Sequence, residues 1–155
     1  MAAQKLQVGR ALAVLPSDNT DIPFPMEVAI GTASGGSATT LVDATATFIT
    51  SGVKPGDIIY NIGTGAATTV LGVNSETTIM TIGGAAFAAT NTYVIYQGSN
   101  NDGCVLYIGV GGDLDIITVG GDQVTLVNVL SGQFIPIQVK RVLTSSTVSS
   151  VLALW

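Results

Sequence analysis

The chain has no histidine and a single cysteine, Cys104. Ser-His-Asp and Cys-His catalysis therefore lie outside its means, as do zinc sites built on imidazoles or paired thiolates. A lone cysteine also closes no disulfide within one chain. Charge is scarce too: five basic against ten acidic residues give −5, which leaves no basic footprint for nucleic acid or anionic lipid. Long apolar runs are missing as well. The opening "ALAVL" is too short for a secretory core, and nothing approaches the ~20 apolar residues of a membrane helix. These absences lead to an expectation of synthesis in a cytosol, with no nucleic-acid or membrane partner and no cofactor.

What is present is apolar and punctuated. Hydrophobic residues make up 47% of the chain, and 19 glycines divide them into short runs rich in Val, Ile, Leu and Thr. That is the rhythm of an all-β protein, and no stretch carries a helical period. Residues 1–26 hold one strand candidate, "ALAVLP", followed by "SDNTDIPFP", whose Pro23 and Pro25 keep the backbone extended. The segment reads as an arm crossing a surface.

Residues 31–97 read as a unit of their own. Five runs, "LVDATATFIT", "DIIYNI", "TTVLGV", "TTIMTI" and "TYVIYQG", alternate with turn signals, which predicts a small five-stranded barrel-like domain. Its sharpest signal is "GVKPGD", where Pro55-Gly56 fits the centre of a type II turn. Residues 103–155 give five more runs: "CVLYIGV", "LDIITV", "QVTLVNV", "FIPIQVKRV" and "VSSVLALW". With 1–26 they predict a β-sandwich or jelly-roll-like domain built from both ends of the chain.

Alternation shows what these strands face. Ile135, Ile137 and Val139 point one way while Pro136, Gln138 and Lys140 point the other, giving one buried and one wet face. The final strand is apolar on both sides, with Val151, Ala153 and Trp155 on one and Leu152 and Leu154 on the other. "CVLYIGV" is two-sided too. So short a domain cannot cover such strands on both faces, so part of that surface is expected to meet another copy. Docking Trp155 alone removes roughly 200 Å² from water, worth up to ~5 kcal/mol before entropic losses.

Two separated pieces, "LPSDNTDIPFP" (15–25) and the stretch from Gly103 to Trp155, together resemble the spike-base family of tailed phages and gene transfer agents. The resemblance rests on Pro16-Ser17-Asp18, then Leu106-Tyr107 with Gly109, then Gly112-Asp113-Leu114 and Val124-Thr125-Leu126. It continues through Pro136, Val139, Arg141-Val142 and the terminal Ala153-Leu154-Trp155. Residues 26–102 interrupt the pattern as an insertion, and Leu130 stands where a proline is usual. The insertion resembles small β-modules of phage structural proteins. An insertion must leave and return at nearby points, so Pro25 and Gly103 are expected to be close. Loop closure itself costs only ~0.6 kcal/mol per doubling of length.

The chemistry candidates each have a plainer reading. "GVGGDL" (109–114) lacks the third glycine and the following helix of a nucleotide loop, so it reads as a turn. Asp113, Asp115 and Asp122 offer oxygen ligands but not the spacing of a calcium loop. Scattered carboxylates beside turn residues make a poor glycosidase pair. Tyr60, Phe87, Tyr93 and Tyr96 would serve a sugar platform if exposed together, and a core if not. Lys140-Arg141 is a basic pair on a strand, with Arg141 expected on the Val139 and Leu143 face and a buried or interfacial salt bridge expected there.

No catalytic, cofactor-binding or metal residue is assigned. The expected function is that of a non-enzymatic virion protein which decorates or cements the capsid surface or forms the base of a head spike. Its expected partners are further copies of itself, three favoured over five, together with the major capsid protein and a spike or fibre protein. Residues expected at interfaces are Arg10, Ile22, Pro23, Phe24, Pro25, Lys140, Arg141, Leu152, Leu154 and Trp155. A carbohydrate-binding adhesion module, or a tail or baseplate component, is the alternative.

Overall fold

The computed structural model describes residues 8–98 and 103–155. Among these residues the fold is all-β, without helix. Its strands are β1 (Ala11–Ala13), β2 (Glu27–Thr32), β3 (Gly35–Gly36), β4 (Thr40–Val42), β5 (Ile58–Asn61), β6 (Ala66–Ser75) and β7 (Thr78–Thr81). They continue with β8 (Thr92–Tyr96), β9 (Cys104–Val110), β10 (Gly112–Thr118), β11 (Gln123–Val129), β12 (Gln133–Val142) and β13 (Ser149–Leu154). All pairings are antiparallel, in a six-stranded sheet β1-β13-β9-β12-β10-β11 and a seven-stranded sheet β2-β8-β5-β6-β7-β4-β3. Two antiparallel sheets without helix agree with the sandwich class read from the sequence.

Each sheet wraps apolar side chains of its own. In the first, Leu106, Ile108, Leu114, Ile116, Val139, Val142, Val151 and Ala153 form the centre of one cluster, joined by Val14 and Ile22 from the arm. In the second, Leu41, Phe48, Ile59, Val70, Ile79, Tyr93 and Ile95 form another. A small third cluster lies between the sheets, where Leu12 and Leu15 meet Ile58, Tyr60, Ala67 and Tyr96.

The middle segment differs from its expected five strands. It contributes seven, beginning at Glu27 rather than residue 31. "LVDATATFIT" is strand only as far as Val42, because Asp43 turns the chain: its carboxylate accepts the Thr45 amide (2.9 Å) and hydroxyl (2.8 Å). Phe48 then folds into the core instead of continuing a strand. "GTASGG" holds the end of β2 and all of β3. These two strands stand at opposite ends of the hydrogen-bonding order yet are consecutive in the chain. Between them the Ala33 amide donates to Asn91 O (2.8 Å) and the Ser34 amide to Val42 O (2.8 Å).

The Pro55-Gly56 turn forms with Gly56 at φ 95°, a conformation that favours glycine. The Asp57 amide closes it onto Lys54 O at 3.2 Å. Where the middle segment leaves and returns, the Phe24 amide donates to Gln97 O (3.1 Å) and the Gln97 amide to Met26 O (2.9 Å). The outgoing and returning strands are therefore neighbours at Phe24 and Gln97.

Candidate interaction surface

β13 is an interior strand, flanked by β1 and β9. Val151 and Ala153 enter the core beside Ile108 and Leu106. Leu152 and Leu154 point to the opposite face, and their register carries the apolar pattern across the sheet. Ala13 pairs with Leu152, Leu152 with Tyr107, and Tyr107 with Phe134. A second row runs from Ala11 to Leu154 to Val105. In the first row Leu152 is 36% and Phe134 55% exposed. The Tyr107 and Phe134 rings meet at 5.2 Å between centroids, tilted 59°. This outer face is a continuous apolar stripe over β1, β13, β9 and β12. The β10-β11 half of the same face is polar: Asp115 accepts hydrogen bonds from the Thr125 hydroxyl and from the Ser145 hydroxyl (2.6 Å).

The sequence-expected interface residues divide. Ile22 is 2% exposed, a core residue of its own chain, and its amide donates to Lys140 O. Pro23 is likewise buried, and Leu154 is only 8% exposed on the outer face. These three side chains are covered mostly by their own fold.

Trp155 docks on the core of the first sheet. Its ring meets Phe24 edge-on at 6.1 Å, and the Arg10 guanidinium lies 5.7 Å from the Phe24 ring centroid. Arg10 also donates to Pro25 O at 2.7 Å. Arg10, Phe24, Pro25 and Trp155 are thus brought together as a stack that fastens the arm to the last strand. The Trp155 indole N–H is buried without a hydrogen-bond partner. Leu152 remains on the exposed stripe.

Arg141 does not share the face of Val139. β12 shifts register at this point, Val139 pairing with Thr118 and Arg141 with Ile117, so the extra residue breaks the alternation. The guanidinium turns to the arm, where it forms a salt bridge with Asp21 (2.6 Å) and donates to Asp18 O (2.7 Å). The Asp18 carboxylate in turn accepts the Thr144 amide (3.0 Å) and hydroxyl (2.6 Å). Those bonds hold its pKa below the ordinary carboxylate value. The Pro-Ser-Asp piece and the Arg-Val piece, far apart in sequence, are therefore two halves of one clasp. Lys140 is half-buried.

Among the described residues, no three His, Cys, Asp or Glu side chains come together in a way that could hold a metal ion. Asp113 accepts the Asn128 amide at 3.0 Å, and Asp115 is held by Ser145 and Thr125, which depress its pKa. Cys104 is buried at 1% exposure, and burial pushes its thiol up to about 12, so it is no nucleophile. Three of the four aromatics named as a sugar platform, Tyr60, Phe87 and Tyr93, are 3% exposed or less. Tyr60 lies between the sheets, its hydroxyl buried without a well-formed hydrogen bond and only weakly approached by the Leu15 backbone.

Sequence reasoning missed Phe134. Its neighbour Tyr107 was visible in a two-sided strand, but only the β9-β12 register sets the two rings side by side. Searches against family models, curated proteins and solved structures find no match for the chain.

Proposed function

We propose that the protein is a non-enzymatic structural component of a tailed-phage virion, which decorates or cements the capsid surface or forms a head-spike base as a symmetric homo-oligomer. The observation that carries this reading is the apolar stripe Ala13, Leu152, Tyr107 and Phe134, which runs across four strands on the face turned away from the core. Covering a Leu or Phe side chain of this kind is worth about 1.5–3 kcal/mol, and a shell binds by repeating such contacts rather than by one pocket. The sequence resemblance to the spike-base family supplies the virion setting. Three copies are favoured over five, because the second sheet offers a broader contact surface than a spike socket requires. The major capsid protein is the expected partner on the shell.

The experiment is native mass spectrometry of the protein beside its Phe134→Asp/Leu152→Asp variant, followed by co-sedimentation of both with purified capsids. Wild type is expected as a small closed ring that sediments with capsids, and the variant as a species of fewer copies that does not. A wild-type chain that is monomeric and ignores capsids defeats the proposal, and binding to tails alone moves it to the tail or baseplate.

A further inference from the structure

We propose that the two sheets form separate bodies that open and close on each other at the seam between them, pivoting about the Phe24–Gln97 pair, with the Tyr60 hydroxyl keeping the closed state marginal. Each sheet surrounds a core of its own, and the main strand-to-strand contacts run within one sheet or the other. What joins the bodies is thin. Leu12 and Leu15 of the arm, both only half-buried, lie against Ile58, Tyr60, Ala67 and Tyr96. Nearby, the Thr20 and Thr69 hydroxyls stand 3.4 Å apart, long for a bond between hydroxyls. The Arg141–Asp21 ion pair lies within the first body and does not cross.

Tyr60 sets the balance at the seam. It is 3% exposed, and its ring meets Tyr96 edge-on at 5.5 Å. The ring area removed from water favours closure. Its hydroxyl acts the other way, because it is buried without a well-formed hydrogen bond. A hydroxyl in that position opposes the state that buries it, and water satisfies it once the seam opens.

The two chain crossings lie side by side. On the outgoing chain the Phe24 ring is held by Trp155 in the first body. On the returning chain Gly98 still lies against Gly56 in the second. Between them the Phe24 amide donates to Gln97 O (3.1 Å) and the Gln97 amide to Met26 O (2.9 Å). Two adjacent crossings make a hinge, since a few backbone torsions absorb the rotation while both cores stay intact. On the flank of the seam the bodies already stand apart. A cleft of about 300 Å³ is lined there by Pro16, Asn19 and Thr144 from one body and Ala66, Ala67 and Gly84 from the other. The motion requires neither a second copy nor a shell, and so it stands apart from the capsid reading.

Thiol labelling of the full chain tests this. Cys104 lies in the first core at 1% exposure, so its labelling reports unfolding of that core. Ala67, 5% exposed, pairs with Tyr60 between β6 and β5 inside the seam. In Ala67→Cys the thiol at position 67 is expected to react at least about tenfold faster than Cys104, since partial opening costs less than global unfolding. Adding Tyr60→Phe, which removes the hydroxyl and keeps the ring, is expected to slow the position-67 thiol by about tenfold and leave Cys104 unchanged. Should Ala67→Cys fail to fold, Ile58→Cys at 3% exposure in the same seam serves in its place, with the same expectations. A seam thiol that reacts no faster than Cys104 would show that the bodies part only on unfolding. A rate that Tyr60→Phe leaves unchanged or raises would show that the hydroxyl does not oppose closure. Either result overturns the proposal.

Discussion

Burying the Asp43 carboxylate, 3% exposed, would raise its pKa and destabilise the second sheet if it stood alone. Burial does push in that direction, but hydrogen bonds from the Tyr93 hydroxyl (2.7 Å) and from Thr45 outweigh it, and the net shift is downward. The same contact, together with burial, drives the Tyr93 phenol upward. Gly31 permits the pair: a Cβ there would fall 2.5 Å from the Tyr93 hydroxyl and 2.6 Å from the carboxylate. Tyr93→Phe removes the donor and keeps the ring against Phe48. It is expected to cost about 1–3 kcal/mol, the price of an under-satisfied buried polar group, read as a shift in the denaturant midpoint at unchanged slope. None of this pairing was visible in sequence, because Asp43 and Tyr93 are joined only by the folded sheet. Gly56 was legible, since Pro-Gly is a local signal and its positive φ is a local property.

At the level of elements, the arm is held by backbone hydrogen bonds, among them those from Val14, Ser17, Ile22 and Phe24, and by the Arg141 clasp. The ion pair is partly exposed and weak by itself, but the guanidinium also serves the Asp18 carbonyl. Arg141→Ala is therefore expected to cost about 1–2 kcal/mol and to speed proteolytic cleavage between residues 15 and 25, with the sheet strands unchanged in protection. Carboxylates held by hydrogen bonds add a pH dependence. Asp18, Asp43, Glu76 and Asp115 all have folded pKa values below their ordinary ones. Such groups contribute stability above the unfolded carboxylate range, about pH 4, and lose it as pH falls through the lower folded values. The thermal midpoint is expected to be flat near neutrality and to drop on acidification below that range. Asp115→Asn should make the drop shallower. The strands of 103–155 were legible to within a few residues because glycine turns and alternation are short-range signals. The Arg141 face was not, because one extra residue in β12 inverts everything after it.

For the whole molecule, the division of cores matters most. Residues 11–13 and 104–154 close one sheet around one cluster, and 27–96 close the other around a second, with a small apolar seam between them. This arrangement leaves large apolar side chains exposed on both sheets, among them Ile30 (65%), Leu71 (57%), Phe134 (55%) and Val127 (66%). Phe134→Asp/Leu152→Asp is accordingly expected to lower the assembly mass and to make the denaturant midpoint independent of protein concentration, because loss of subunit binding removes its mass-action stabilisation.

By itself the sequence determined the class of the fold, the chemistry it lacks and the positions of most first-sheet strands, because periodicity, glycine and the absence of histidine act locally or by composition. It also determined that the last strand would be apolar on both sides. Only the tertiary structure decided where those sides point: Trp155 onto its own core beside Phe24, Leu152 into a stripe with Tyr107 and Phe134, and Arg141 onto the arm. The reason is strand register. Pairings between residues tens of positions apart fix which side chains share a face, and a single bulge can exchange them.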